Sequence, residues 1–351
     1  MSDPLVIYGA TGYSGRLVTT AAIELGLRPI LCGRNEAKLA AMAQPLGLAY
    51  RVAGLEEARQ LDAALRDVDV VLNAAGPFSH TSPPIVEACL RLGSHYLDLT
   101  GEIPVIEALV RHDAAARSAR VMIMPAVGFD VVPSDCLAGH VAKRLPGAVS
   151  LVFGLTGLVS ATPGSAKTLV EHAGYGVKVR RGGVITSVVP GAASRSFDFG
   201  AGPQRSMHIS WGDVASAYYT TGIPDIDVYY EATPALQAML LASRYAGWIL
   251  RTPASQALLK ACMELLPEGP TDEQRAASQM VIVAEARDRR GCCVSSRLRT
   301  PEAYTFTGRT AAAVARNVLR GDLEIGFQTP GRVYGADFVL TFAEVSREDL
   351  D

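Results

Sequence analysis

Gly9-Ala-Thr11-Gly12-Tyr13-Ser14-Gly15 is the first stretch whose residue types and spacing specify a chemistry. This G-x-x-G-x-x-G pattern follows a short apolar run and opens a segment that reads as a helix. Gly9 permits a tight turn, Gly12 lets the backbone approach a pyrophosphate, and Gly15 lets helix and strand pack closely. The N–H groups and dipole at the helix start then favour phosphate. The plain alternative is a glycine-rich structural turn. Its place between a strand and a helix, at the head of a βαβ series, favours a dinucleotide site.

Two further stretches belong to the same site. The second apolar run ends in Gly33-Arg34-Asn35, with Lys38 one turn later. An NAD site places an acid here for the ribose hydroxyls, and none is present. Arg34 instead suits a 2′-phosphate, so NADP is expected rather than NAD. The fourth run ends in Asn73-Ala74-Ala75-Gly76-Pro77, where small residues let the backbone reach a nicotinamide ribose. A simple turn would look the same.

Candidate catalytic groups must come from loops that follow strands. None of the twelve tyrosines has a lysine four residues on, so the usual short-chain dehydrogenase pair is excluded. Asp130 lies in a turn set by Gly128 and Pro133; it is a candidate to relay a proton if burial raises its pKa. The alternative is a cap on the helix that begins near Pro133. Asp98 and Glu102 flank another strand end, where Glu102 also suits a helix N-terminus. His172 and Tyr175, near Lys167, would share a helix face at i, i+3 and form a donor pair. The six cysteines and six histidines are too scattered for a metal cage, so no metal is expected, and the thiols read as buried apolar residues.

The elements that must position these groups follow a rhythm. Apolar runs at residues 5–8, 29–32, 48–52, 68–72, 95–97 and 121–124 alternate with helical stretches at 14–25, 35–43, 55–65, a segment opened by Pro83 and Pro84, and 103–118. Such alternation predicts an α/β fold, a doubly wound Rossmann-type parallel sheet with helices on both faces. Past residue 135 the rhythm changes. Strands are expected at 149–153, 184–189, 194–199, 207–210 and 226–230, a hairpin around Asp288-Arg-Arg-Gly291, and helices at 167–177, 234–250, 255–265 and 302–319. This is an α+β second domain with a mostly antiparallel sheet. The domains are expected at 1–135 and 136–328, with 329–351 returning to the first.

The 351 residues are 49% apolar and 19% charged, which is material for two cores and not for disorder. A net charge of −2 lacks the basic excess of a nucleic-acid binder. No secretion leader and no 18-residue apolar run are evident, so a cytoplasmic protein without a transmembrane segment is expected.

The chain resembles the saccharopine dehydrogenase-like reductases, whose relatives include trans-acting enoyl reductases. The matching pieces are the Gly9–Gly15 loop, Cys32-Gly-Arg34-Asn35, Asn73-Ala-Ala-Gly-Pro-Phe78, His95-Tyr-Leu-Asp98-Leu-Thr-Gly-Glu102 and Gly128-Phe-Asp130-Val-Val-Pro-Ser-Asp135. Later pieces are Gly269-Pro270 with Arg275, Thr300-Pro-Glu-Ala-Tyr304 and Gly326-Phe-Gln-Thr-Pro330. One stretch departs: the family often has Ser-Gly-Gly-Thr where this chain reads Ser160-Ala-Thr-Pro-Gly164-Ser-Ala-Lys167-Thr168. The resemblance implies an NADP-dependent oxidoreductase passing hydride to an activated C=C or C=N bond of a small molecule held between the domains. An enoyl, lipid-like or polyketide-like substrate is favoured, because residues 235–266 carry more apolar surface than one helix face needs for a core. That stretch is also compatible with peripheral membrane contact or a homodimer. The rivals are an imine reductase, for which Arg180, Arg181, Arg195 and Arg205 could hold substrate carboxylates, and a non-catalytic NADP-binding sensor or scaffold.

Overall fold

Leu5-Val6-Ile7-Tyr8 is buried at every position, as a strand covered on both faces requires. The same holds for Val70–Asn73 and Met122–Met124. The computed structural model describes residues 5–158, 162–172 and 174–350. Ser160, in the departing stretch, lies outside the described residues. The chain divides into two compact units, Met1–Val132 with Tyr304–Val333, and Pro133–Ala303 with Tyr334–Asp351.

In chain order the first part runs β1 (Leu5–Tyr8), α1 (Tyr13–Glu24), β2 (Ile30–Gly33), α2 (Glu36–Leu46), β3 (Tyr50–Val52), α3 (Ala58–Leu65), β4 (Val70–Asn73), α4 (Phe78–Leu92), β5 (His95–Asp98), α5 (Ile103–Val110), α6 (Asp113–Ala119), β6 (Met122–Met124) and α7 (Val132–Arg144). Next come β7 (Ser150–Thr156), α8 (Pro163–His172), β8 (Val177–Arg181), β9 (Val184–Val188), β10 (Ser194–Asp198), β11 (Pro203–Ile209), α9 (Asp213–Thr221), β12 (Asp225–Glu231), α10 (Pro234–Leu250), α11 (Pro253–Met263) and α12 (Asp272–Ala276). The chain closes with β13 (Gln279–Arg287), β14 (Cys293–Pro301), α13 (Ala303–Leu319), β15 (Gly326–Phe327), α14 (Pro330–Tyr334) and β16 (Ser346–Asp349).

The first unit holds a seven-stranded sheet in the order β15-β6-β5-β4-β1-β2-β3. Its pairings are parallel, with Val6 opposite Ile30 on one side and Val71 on the other. The order reverses between β1 and β4, the switch point where a ligand crevice opens beyond the strand C-termini. The second unit's sheet runs β10-β11-β12-β7-β13-β14-β16, antiparallel except where β12 meets β7. The hairpin at Asp288 to Gly291 forms as expected, joining β13 to β14.

Several expectations are corrected. The expected return to the first unit from residue 329 falls earlier. Tyr304–Val333 belongs to the first unit, where β15 pairs with β6, while residues 334–351 stay with the second, where β16 pairs with β14. Helix α4 starts at Phe78, so Pro83 and Pro84 sit inside it instead of opening it. The positions four residues before them, Ser79 and His80, are exposed and near the helix start, where a proline is tolerated. The helix expected over 103–118 is two helices, parted at Arg111 and His112, and the second starts at Asp113. Its carboxylate accepts the Phe327 N–H at 2.8 Å, tying α6 to β15. The helix expected over 167–177 is α8, which ends at His172; the chain then enters β8. Three cysteines, Cys32, Cys89 and Cys136, are buried, but Cys262, Cys292 and Cys293 are exposed.

Candidate functional site

The glycine loop is built by close approach. Gly9 has φ +80, and a Cβ there would lie 2.7 Å from the Ala75 Cβ. The loops after β1 and β4 therefore touch across the switch point. A Cβ on Gly15 would meet the Gly9 carbonyl at 2.2 Å, so only glycine lets α1 start against the β1 turn. The Gly9 N–H is spent on Cys32 O and the Gly12 N–H on Gly9 O. The Thr11 N–H has no partner among the described residues. No side chain caps α1 and its first turn holds no acid, so its N-terminal dipole faces outward unneutralised. Ser14 lies in that first turn, and Tyr13 stacks edge-on against Tyr304 of α13 at 5.2 Å.

At the end of β2, Arg34 and Lys38 are exposed, and neither side chain has an ion pair among the described residues. Asn35 turns out to be the N-cap of α2, its side chain accepting from the Lys38 N–H at 3.0 Å. Its side chain thereby starts α2 between the two cations. At the β4 turn the amides of Ala74 and Ala75 are spent, on Tyr8 O and on Asn73 Oδ1. Pro77 has no N–H. Gly76 keeps an N–H with no partner among the described residues.

Asn73 faces inward. It is fully buried and donates to Thr81 Oγ1 at 3.0 Å and to the Tyr96 hydroxyl at 3.3 Å. Its side chain shapes the turn from inside. Tyr96 in turn donates to Asp98 at 2.8 Å. The other oxygen of Asp98 accepts the Thr100 N–H at 3.0 Å and the Ala126 N–H at 2.8 Å. One buried network thus pins the loops after β4, β5 and β6. Burial pushes Asp98 up to about 6, against the pull of the Ala126, Thr100 and Tyr96 hydrogen bonds. Glu102 serves the start of α4, accepting the Phe78 and Ser79 N–H groups at 2.7 and 3.1 Å. That helix N-terminus is therefore filled, and α1 remains the anion-ready one.

Asp130 sits in the turn between β6 and α7, with its carboxylate against the backbone of Gly101. A Cβ on Gly101 would lie 2.6 Å from Asp130 Oδ2. The Asp130 carboxylate has no hydrogen-bond partner among the described residues, so it does not cap α7. Burial alone pushes it up to about 6. The turn itself is held rigidly. The Phe129 N–H donates to Thr307 Oγ1 at 3.0 Å, and Thr310 Oγ1 donates to Val127 O at 2.9 Å. Both threonines lie on α13, which also packs on α1 where a Cβ on Gly308 would meet the Leu17 carbonyl at 3.0 Å. Thr307, Thr310 and Tyr304 were not among the expected site residues. The Thr300 to Tyr304 motif pointed at this helix without placing it.

In the second unit the proposed His172–Tyr175 face does not form, because α8 ends at His172. The His172 side chain lies outside the described residues. Tyr175 is exposed at a bend, under the Arg251 guanidinium at 5.4 Å. The four arginines considered for substrate carboxylates are mostly engaged. Arg180 is buried against the Tyr218 ring at 4.3 Å, and its guanidinium donates to Val214 O and Gly183 O. Arg181 pairs with Asp227 at 2.6 Å and Arg195 with Glu285. Only Arg205 of the four is exposed and unpaired among the described residues.

Residues 5–124 match the family model described as the saccharopine dehydrogenase NADP binding domain. This segment is a saccharopine dehydrogenase NADP-binding domain. The unpaired cations Arg34 and Lys38, the Gly9–Gly15 turn and the uncapped α1 fit that cofactor: two cations for a 2′-phosphate, backbone donors for the diphosphate. The NADP-binding domain is found in a chain similar to the trans-acting enoyl reductase of Mycobacterium leprae, 37% identical over 40% of this chain. The Mycobacterium ulcerans enzyme of the same name is 35% identical over 40% of this chain. A lipid droplet localized protein of Caenorhabditis elegans is 26% identical over 46% of it. These matches span 36%, 35% and 41% of the relatives' lengths. Apo saccharopine dehydrogenase (L-Glu forming) from Saccharomyces cerevisiae shares the fold. It has a TM-score of 0.68 at 13% identity, covering 99% of both chains.

Proposed function

We propose that the protein is an NADP-dependent oxidoreductase that reduces the C=C bond of an enoyl, lipid-like substrate. The observation that carries this reading is Asp130, a carboxyl raised to about 6 with no hydrogen bond to satisfy it, at the strand C-termini of an NADP-binding domain. Such a group costs stability and forms no hydrogen bond among the described residues, which suits a proton-handling residue. NADPH, when bound, supplies the hydride. Arg34 and Lys38 would hold its 2′-phosphate end, the α1 N-terminus and the Thr11 N–H would hold its diphosphate, and Gly76 would let the backbone approach its nicotinamide side. Asp130 holds the proton that neutralises the carbon next to the carbonyl once the neighbouring carbon has accepted hydride. Asp98 positions it by fixing the loops that carry Gly101 and Ala126.

Two observations favour C=C over C=N. Three of the four arginines available for an amino-acid carboxylate already have partners. The curated relatives with the higher identities carry the name enoyl reductase, and another is a lipid droplet protein. The test is NADPH consumption on a homologous series of enoyl thioesters. Each buried CH₂ contributes about 0.8 kcal/mol, so kcat/KM should rise about fourfold per CH₂ over the first several carbons. A flat series, or turnover only with small charged imines, would assign an imine reductase. No turnover with any substrate, with NADPH still bound, would leave a sensor or scaffold.

A further inference from the structure

Helix α10 buries only Leu240 and Gly247 of its seventeen residues, and α11 buries none. The inner side of α10 is well fixed. Leu240 joins Val177, Val179 and Met207 in a core cluster. Gly247 meets Gly174 backbone to backbone, so closely that a Cβ on Gly174 would lie 2.5 Å from the Gly247 carbonyl. The helix kinks beside this contact, at Ala246. With that side pinned, the opposite side must face outward. Leu241, Tyr245, Trp248 and Ile249 recur there at i, i+4, i+7 and i+8, a single stripe, and Tyr245 and Trp248 are each 70% exposed. Leu258 of α11 and Leu265 beyond it add to the exposed apolar surface, at 66% and 86%.

The charges in this segment have one sign. Residues 234–251 contain Arg244 and Arg251 and no carboxylate. Neither arginine has an ion pair among the described residues; they lie over the rings of Tyr245 and Tyr175 instead. The lysines nearby are neutralised, Lys260 by Glu171 at 2.6 Å and Lys167 by Glu264 at 2.9 Å. At i, i+7, both arginines flank the apolar stripe on one side.

We infer that α10 and α11 form a docking surface for a phospholipid membrane carrying anionic headgroups. Trp248 and Tyr245 have the amphipathic rings that settle at headgroup level, the leucines supply the apolar insertion, and the arginines meet lipid phosphates. The surface lies on a membrane and does not span it: no helix among the described residues is long and apolar enough to cross one. A second copy of the chain is a poorer occupant. A two-fold pairing along α10 would bring arginines together with no carboxylate in residues 234–251 to receive them.

The test is flotation of the full-length protein with vesicles of phosphatidylcholine, with and without phosphatidylglycerol. Binding is expected only with phosphatidylglycerol and should weaken in high salt. Tyr245→Ser with Trp248→Ser should reduce binding more than tenfold. Arg244→Gln and Arg251→Gln should each cost about fivefold. All of these positions are exposed and lie outside the NADP-binding domain, so NADPH affinity should stay unchanged in every variant. The chain has two tryptophans, so Trp211→Phe leaves Trp248 as sole reporter, and its emission should shift to the blue on binding. Absence of vesicle binding by the wild type, or binding indifferent to these variants, would overturn the inference. A wild-type dimer that Tyr245→Ser with Trp248→Ser converts to monomer, without vesicle binding, would assign the face to a second copy.

Discussion

Asp130→Asn separates the two roles open to this residue. The substitution keeps the shape of the side chain and removes its charge and its titration. In the folded protein Asp130 is raised from the ordinary 3.8 to about 6, with burial as the cause. A carboxyl whose pKa is higher folded than unfolded binds its proton more tightly when folded, so its ionisation works against folding. That penalty is absent below pH ~3.8, grows between the two values and is complete above pH ~6, where it reaches ~3 kcal/mol at ~1.4 kcal/mol per tenfold. Asparagine carries no such penalty. The variant should therefore match the wild type in stability near pH 4 and exceed it by up to ~3 kcal/mol at pH 8. Asp98 is raised as well, but it is present in both proteins and cancels in the difference. Turnover should fall about 100- to 10,000-fold with NADPH affinity nearly unchanged. Wild-type turnover should itself decline as pH rises through about 6 and the proton is lost. Urea unfolding at pH 4, 6 and 8, with NADPH titration and turnover on both proteins, makes the measurement. Full turnover in the variant, or a variant less stable than the wild type at pH 8, would refute the argument.

Arg34→Ala should bring NADPH and NADH affinities closer by about 10- to 150-fold, the worth of a charge-assisted bond to phosphate, as read by fluorescence titration; equal affinities in the wild type would remove the assignment. Gly15→Ala places a methyl 2.2 Å from the Gly9 carbonyl, so NADPH binding should be lost or the protein should fail to accumulate folded. Asp98→Ala leaves the Thr100 and Ala126 N–H groups without their acceptor, while the Tyr96 hydroxyl keeps Ser82 Oγ at 3.0 Å. At ~1–3 kcal/mol for each buried orphan, it should lower the denaturation midpoint sharply, and turnover should drop even where the variant is folded.

Local chemistry made the NADP-binding domain legible. Apolar runs alternating with helices, three spaced glycines and an arginine in place of an acid are all short-range signals, and each specifies backbone geometry or charge within a few residues. The β8–β9 hairpin has such a signal too, Gly182-Gly183 with φ +53 and +81. The inward turn of Asn73 and the capping of α4 by Glu102 were not legible, since their partners stand up to 24 residues away. The anchoring of the Asp130 turn by Thr307 spans 178 residues, across a second unit inserted in the chain. The bounds of α10 could be read from its sequence, but whether its apolar stripe is core or surface could not. Periodicity fixes which residues share a face, and the Leu240 core cluster with the Gly174–Gly247 contact fixes which face turns inward. The sequence by itself determined the cofactor loop and its charge, because those depend on neighbours along the chain. The tertiary structure alone decided which carboxylate is left unpaired and which apolar face is left bare, because those depend on partners that periodicity does not record.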